Sequence, residues 1–188
     1  MKHLKMLGLF AMAAAALMAF AGSASAQTFT APAGTEYTGA LSSSLEGSAL
    51  LKAGFAEITC TASTVAGSLT TNNNTEASGS ITSVSFSSCK EGQTVDTLNN
   101  NGTLTILKST HAVTGIGTEV TTAVAGVSCV YGLGTTATSL GTAANTASGV
   151  TLTIKASLPK ISGGFLCASP ASWTANYIVT SPKSSVLD

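Results

Sequence analysis

The stretch VTLTIKASL, residues 150–158, alternates strictly between apolar and polar side chains. Successive side chains of a β-strand point to opposite faces of the sheet, so this period of two is typical of a strand with one buried face and one wet face. A second alternating stretch begins at Trp173, although Ile178 falls on its otherwise polar face. Together the two stretches predict an all-β fold.

The composition of the rest of the chain also favours strands. Threonine and serine are the two commonest residues over positions 27–188. Branching at Cβ suits threonine, valine and isoleucine to a pleated surface. Further strands are predicted over residues 36–42, 48–53, 103–107 and 119–131, with turn residues between them. About eight short strands favour a single Ig-like β-sandwich, with a jelly roll or a small barrel as the alternatives.

Residues 1–26 have the three parts of a secretory signal peptide. Two lysines give a positive start, an apolar run covers positions 6–21, and the small side chains at 24–26 provide a cleavage signal. A run of that length falls short of the roughly 20 residues that span a bilayer. We therefore expect cleavage before Gln27, and secretion to the extracellular space, the cell surface or the periplasm. We expect no transmembrane segment after cleavage.

Residues 27–188 are predicted to form one domain, since a chain of this length suits one domain with its own core. Within it, residues 27–47 are less regular than the rest. They have the character of an edge strand with a loose tail, or of a donor strand that completes the sheet of a neighbouring subunit.

The four cysteines all lie after residue 27, and an even number in an oxidising compartment predicts two disulfides. No pair has the short spacing of a structural zinc site, so no metal is expected. A repeated pattern of cysteine, strand, loop, glycine and strand suggests one disulfide in each half of the chain. Of the three connectivities that four cysteines allow, we predict Cys60 with Cys89 and Cys129 with Cys167.

The polar turn at residues 72–76 gives a register for the first of these pairs. If the turn centres between Asn74 and Thr75, the numbers of paired residues sum to 149. Cys60 then lies opposite Cys89, and by the same rule Val65 lies opposite Val84.

Charge and residue inventory exclude several functions. The mature chain has six lysines, no arginine and eight acidic residues, a net charge of 6 − 8 = −2. It has no basic patch for nucleic acid. His111 is its only histidine, and the sequence around it is typical of a loop. We find no arrangement for acid–base or nucleophilic catalysis, so we predict no catalytic residue, no cofactor and no enzyme activity.

Three aromatic residues are candidates for binding. Trp173, Tyr177 and Tyr131 would suit a platform for a sugar or an alkyl chain. Their positions inside alternating strands favour a place in the core instead.

Parts of the chain resemble known exported proteins. The leader MKHLKMLGLFAM, followed by AGSASA, is similar to leaders of small exported bacterial proteins. The Ser/Thr/Gly-rich, cysteine-bearing body resembles activators of alkane oxidation (the Pra type). The stretch GGFLCASPASW, residues 163–173, is similar to the ends of uncharacterised secreted bacterial proteins. The resemblance implies an extracellular accessory protein that acts at the cell surface, in biofilm or at an oil–water interface, and it assigns no functional residue.

Sequence and resemblance together leave two classes of function. The first is a secreted, non-catalytic structural or interaction protein that self-associates or contacts hydrocarbon and aids alkane use. Association by apolar contact and by pairing of weakly charged strand edges would suit such a chain. The alternative is a secreted ligand-binding protein or hydrolase.

Overall fold

The computed structural model describes residues 29–30, 35–97 and 102–187. Within these ranges the chain forms fourteen strands and no helix, which confirms the all-β prediction. In chain order the strands are β1 Phe29–Thr30, β2 Gly39–Ala53, β3 Ala56–Asn72, β4 Glu76–Cys89, β5 Gln93–Thr97, β6 Thr103–Leu107, β7 Ala112–Ile116, β8 Glu119–Val124, β9 Val127–Gly132, β10 Thr138–Thr146, β11 Gly149–Leu158, β12 Lys160–Gly163, β13 Ala171–Ser181 and β14 Val186–Leu187.

The main sheet is a closed barrel of eight strands, in the order β10-β11-β13-β2-β3-β4-β6-β7. Pairing of β7 with β10, which sets Val113 beside Gly141, closes the ring. The small barrel named as an alternative therefore describes the main sheet, and the Ig-like sandwich does not. Both architectures bury alternate residues of each strand. The alternation in the sequence therefore could not distinguish the barrel from the sandwich. Only the long-range pairing of β7 with β10 distinguishes the two architectures.

A second sheet of four strands, in the order β12-β9-β8-β5, packs beside the barrel. It covers the part of the β2–β3 hairpin nearest its turn, where Ile58 of β3 lines the same small cavity as Val124 and Val127. The two sheets share one cluster of buried apolar side chains. The prediction of one strand over residues 119–131 was wrong, because Ala125 and Gly126 adopt positive φ angles and turn the chain between β8 and β9.

The alternating stretches lie in β11 and β13 as predicted. In β11 the even positions Val150, Ile154, Ala156 and Leu158 are buried, and Leu152 is half-buried. The β3–β4 register also agrees, since Val65 pairs with Val84 and Cys60 with Cys89. A bulge shifts the later pairs, beginning at Gly67.

Both predicted disulfides are present. Cys60–Cys89 joins directly paired residues of the neighbouring strands β3 and β4. Cys129–Cys167 joins β9 to the loop between β12 and β13.

The predicted N-terminal segment divides between described and undescribed residues. From Gly39 onward it forms β2, which is paired with β13 on one side and β3 on the other, so this part is not an edge strand. Phe29 and Thr30 pair with β14. The predicted signal peptide, its cleavage point and residues 31–34 lie outside the described residues.

Candidate functional site

The turn between β2 and β3 exposes a large apolar side chain. Gly54 and Phe55 form a two-residue hairpin turn, and Gly54 takes a φ of 61° that glycine adopts without strain. Phe55 is left 75 % exposed. A folded chain normally buries a phenylalanine, so this position is unusual.

The loop between β12 and β13 exposes two more apolar side chains, Phe165 at 94 % and Leu166 at 43 %. Cys167 ties the loop to β9 through its disulfide. The Cys167 N–H also donates to the Gly164 carbonyl at 3.1 Å, and the Tyr131 hydroxyl donates to the Ala168 carbonyl at 3.0 Å. These bonds fix the backbone of the loop while its apolar side chains face water.

This loop and the hairpin turn lie against each other. Phe55 and Leu166 line one small cavity. A Cβ added to Gly54 would lie 3.0 Å from the Cβ of Ala168. We call the side chains of Phe55, Phe165 and Leu166 the apolar tip.

Two residues of opposite charge flank the hairpin turn of the tip. Lys52 of β2 and Glu57 of β3 flank the Phe55 turn, and their side chains form an exposed ion pair at 4.0 Å. An exposed pair contributes little stability. Its main consequence is that the base of the tip carries no net charge from these two residues.

The barrel interior contains two neighbouring cavities of about 90 and 80 Å³. The larger cavity is walled by both sheets, since Val95, Val120 and Tyr131 of the second sheet line it together with barrel residues. The smaller cavity lies toward β1 and includes Phe29 in its wall. The side chains that line both cavities are Ser43, Val65, Ile81, Leu104 and Leu152.

The three predicted aromatic residues all line the larger cavity. Tyr177 is buried and shares a hydrogen bond of 2.9 Å with the Ser63 hydroxyl. Its burial raises the pKa of the phenol to about 12, and the hydrogen bond to Ser63 acts in the opposite direction. Trp173 is half-buried and meets Tyr177 edge-on, with ring centroids 6.4 Å apart. The structure thus brings the three rings to the wall of one cavity, with both tyrosines buried and Trp173 half-buried. Whether they bind a ligand stays a prediction.

The opposite end of the barrel has a polar network that the sequence did not indicate. The Asn72 side chain accepts hydrogen bonds from the Phe29 N–H at 3.0 Å and from the Lys108 amine at 2.7 Å. It donates to the carbonyls of Phe29 at 2.8 Å and Tyr37 at 2.9 Å. Lys108 is 2 % exposed, and burial lowers the pKa of its amine while Glu36 partly opposes that shift. Lysine is normally a surface residue, so no local pattern pointed to this position.

His111 lies in the turn between β6 and β7 with a φ of 56°. Among the described residues no three His, Cys, Asp or Glu side chains are placed to hold a metal ion. The same residues include no helix long and apolar enough to cross a membrane. No protein-family model, curated protein or solved structure matches this chain.

Proposed function

We propose that this chain is a secreted, non-catalytic interaction protein that attaches to an apolar surface, such as an oil–water interface or a hydrocarbon-coated cell surface or biofilm. The observation that carries the proposal is the apolar tip, in which Phe55 and Phe165 are 75 % and 94 % exposed at one end of the molecule. Exposed apolar clusters of this kind are typical of interaction sites.

Transfer of the tip side chains from water to an apolar surface is energetically favourable. Transfer of a phenylalanine or leucine side chain out of water contributes roughly 1.5–3 kcal/mol. The disulfide at Cys167 and the tight turn at Gly54 hold the backbone of the tip before contact. Little further ordering is then needed on attachment, which favours binding.

Attachment through the tip should be insensitive to salt. Screening weakens interactions between charges, whereas the tip consists of uncharged apolar side chains, and the Lys52–Glu57 pair beside it combines opposite charges. An attachment driven by basic side chains and anionic lipid would instead weaken strongly as the ionic strength rises.

The proposed location is outside the cytoplasm. The two disulfides are consistent with an extracellular or periplasmic protein, because such bonds persist in oxidising compartments. The predicted leader would direct the chain there. We propose the extracellular face or cell surface, since the tip needs direct access to an apolar phase.

Fewer strand edges are available for self-association than the sequence indicated. Closure removes free edges from the barrel. Among the described strands of the second sheet, β5 and β12 lie at its two edges. Any self-association that accompanies surface attachment would therefore use the second sheet, the two-stranded β1–β14 sheet or the tip.

Adsorption to hexadecane droplets tests the proposal. The mature protein would be compared with the double variant Phe55→Ser/Phe165→Ser. The matched control is Leu107→Ser/Val186→Ser, which removes side chains that are 39 % and 37 % exposed at the other end of the barrel. We expect the tip variant to lose at least roughly tenfold in affinity, and the control to bind like the parent, at both low and high salt. Equal loss in both variants would refute the tip as the contact.

A further inference from the structure

We propose that the barrel interior is a binding site for one small, uncharged apolar molecule about the size of benzene or a short alkane. This site is separate from the apolar tip and does not depend on the proposed surface attachment. The proposal rests on the size of the two cavities, on the side chains that line them and on the hydrogen bonds that the buried hydroxyl groups already make within the protein.

The size of the cavities limits the ligand. They measure about 90 and 80 Å³ and share five lining side chains, among them Val65 of β3 and Leu152 of β11. A dry apolar cavity of about 150 Å³ accepts benzene, whereas sites for drug-sized ligands measure roughly 300–1,000 Å³. The interior therefore suits a ring or a short chain, and is too small to enclose a long lipid.

The chemistry of the lining excludes charged ligands. None of the described residues that line either cavity carries a charged side chain. Burial of a carboxylate or an ammonium group without an opposite charge costs several kcal/mol. A fatty acid anion should therefore be rejected, and the corresponding hydrocarbon accepted.

The hydroxyl groups of the larger cavity are mostly engaged by the protein itself. Tyr177 pairs with Ser63, Tyr131 donates to the Ala168 carbonyl, and Ser43 donates to the Val65 carbonyl at 3.4 Å. The Thr118 hydroxyl is buried beside Gly102 and has no partner among the described residues. One neutral hydroxyl cannot offset a buried charge, so the lining selects for apolar ligands.

Uptake of volatile hydrocarbons by the full mature protein tests the inference. Headspace gas chromatography would measure how much benzene and n-hexane the protein removes from the vapour, and equilibrium dialysis would measure hexanoate. We expect saturable uptake of about one equivalent of at least one hydrocarbon, and no saturable uptake of hexanoate. Absence of saturable hydrocarbon uptake, or equal uptake of hexanoate, would overturn the inference.

Two variants separate this site from the tip. Val65→Phe enlarges a side chain that lines both cavities and should weaken hydrocarbon uptake by roughly tenfold while droplet adsorption persists. Phe55→Ser/Phe165→Ser should show the reverse pattern. Loss of saturable uptake in the tip variant but not in Val65→Phe would refute the interior site.

The wild-type protein provides a readout that does not depend on the folding of a variant. Methyl resonances of Val65, Leu104 and Leu152 should shift on addition of benzene, because these side chains line both cavities. Shifts confined to Leu166 at the tip would contradict binding in the interior.

Discussion

The two ends of strand β3 differ in the side chains that surround them: polar groups are hydrogen-bonded at one end, and apolar side chains are exposed to water at the other. The strand runs 17 residues from Ala56 to Asn72, roughly 50 Å at the usual rise of a strand. At the Asn72 end, one amide side chain satisfies the backbone of β1 and holds a buried lysine. At the Phe55 end, large apolar side chains stay exposed on a backbone fixed by a disulfide. The first arrangement stabilises the fold, whereas the second preserves an exposed apolar surface.

The largest expected effect comes from removal of a disulfide. Cys129→Ser/Cys167→Ser opens a sequence separation of 38 residues, and Cys60→Ser/Cys89→Ser one of 29 residues. In the chain-entropy model each loss costs about 4 kcal/mol, so urea unfolding should show similar destabilisation. Only the Cys129/Cys167 variant should also adsorb more weakly to hexadecane. Its adsorption at parental strength would show that the disulfide does not organise the tip.

A slightly smaller loss of stability is expected at high pH, when Tyr177 ionises in the barrel wall between the two ends. The unfolded phenol of Tyr177 ionises near pH 10, whereas burial holds its folded pKa at about 12. The raised pKa stabilises the fold fully below pH 10, and this contribution falls as the pH rises from 10 to 12. The loss approaches roughly 3 kcal/mol at the top of that window.

Unfolding at a series of pH values would measure this loss. Tyr177→Phe should reduce the decline in stability above pH 10. Part of the decline should remain, because burial also raises the pKa of the Tyr131 phenol. The same alkaline decline in Tyr177→Phe as in the parent would assign it to another group.

The polar end should respond more moderately to a single substitution. Asn72→Ala removes the partners of the Phe29 N–H and carbonyl and of the buried Lys108 amine. Buried polar groups that lose their partners cost about 1–3 kcal/mol, so we expect destabilisation of about 2 kcal/mol in urea. The exposed Asn74→Ala provides the control. Droplet adsorption should not change, and a loss of adsorption in Asn72→Ala would mean that the two ends are not independent.

The smallest effect on stability is expected at the tip itself. Phe55→Ser/Phe165→Ser changes side chains that are 75 % and 94 % exposed, so the free energy of unfolding should move by less than about 0.5 kcal/mol. Thermal unfolding with the Leu107→Ser/Val186→Ser control would measure this. A large destabilisation would show that the two phenylalanines pack into the core.

The sequence predicted those features that depend on local patterns. The period of two at residues 150–158 indicated a half-buried strand, and the polar turn at 72–76 gave the register that pairs Cys60 with Cys89. It did not predict barrel closure, because the β7–β10 pairing leaves no local signal. The turn at Ala125-Gly126 was missed because alanine rarely takes a positive φ.

The candidate sites were predicted only in part. The sequence selected Trp173, Tyr177 and Tyr131, which line one cavity, but it could not show that a cavity exists. It did not select Phe55 or Phe165. In the sequence, a phenylalanine beside a glycine fits a core residue next to a turn equally well, and only the folded structure shows that both side chains are exposed.

Hydroxyl-radical footprinting on hexadecane droplets tests the central claim most directly. It compares side-chain labelling of the free and the adsorbed protein at each end of the barrel. We predict strong protection of Phe55, Phe165 and Leu166 on adsorption, and unchanged labelling of Leu107 and Val186. Equal protection at both ends, or protection of Leu107 and Val186 alone, would contradict attachment through the apolar tip.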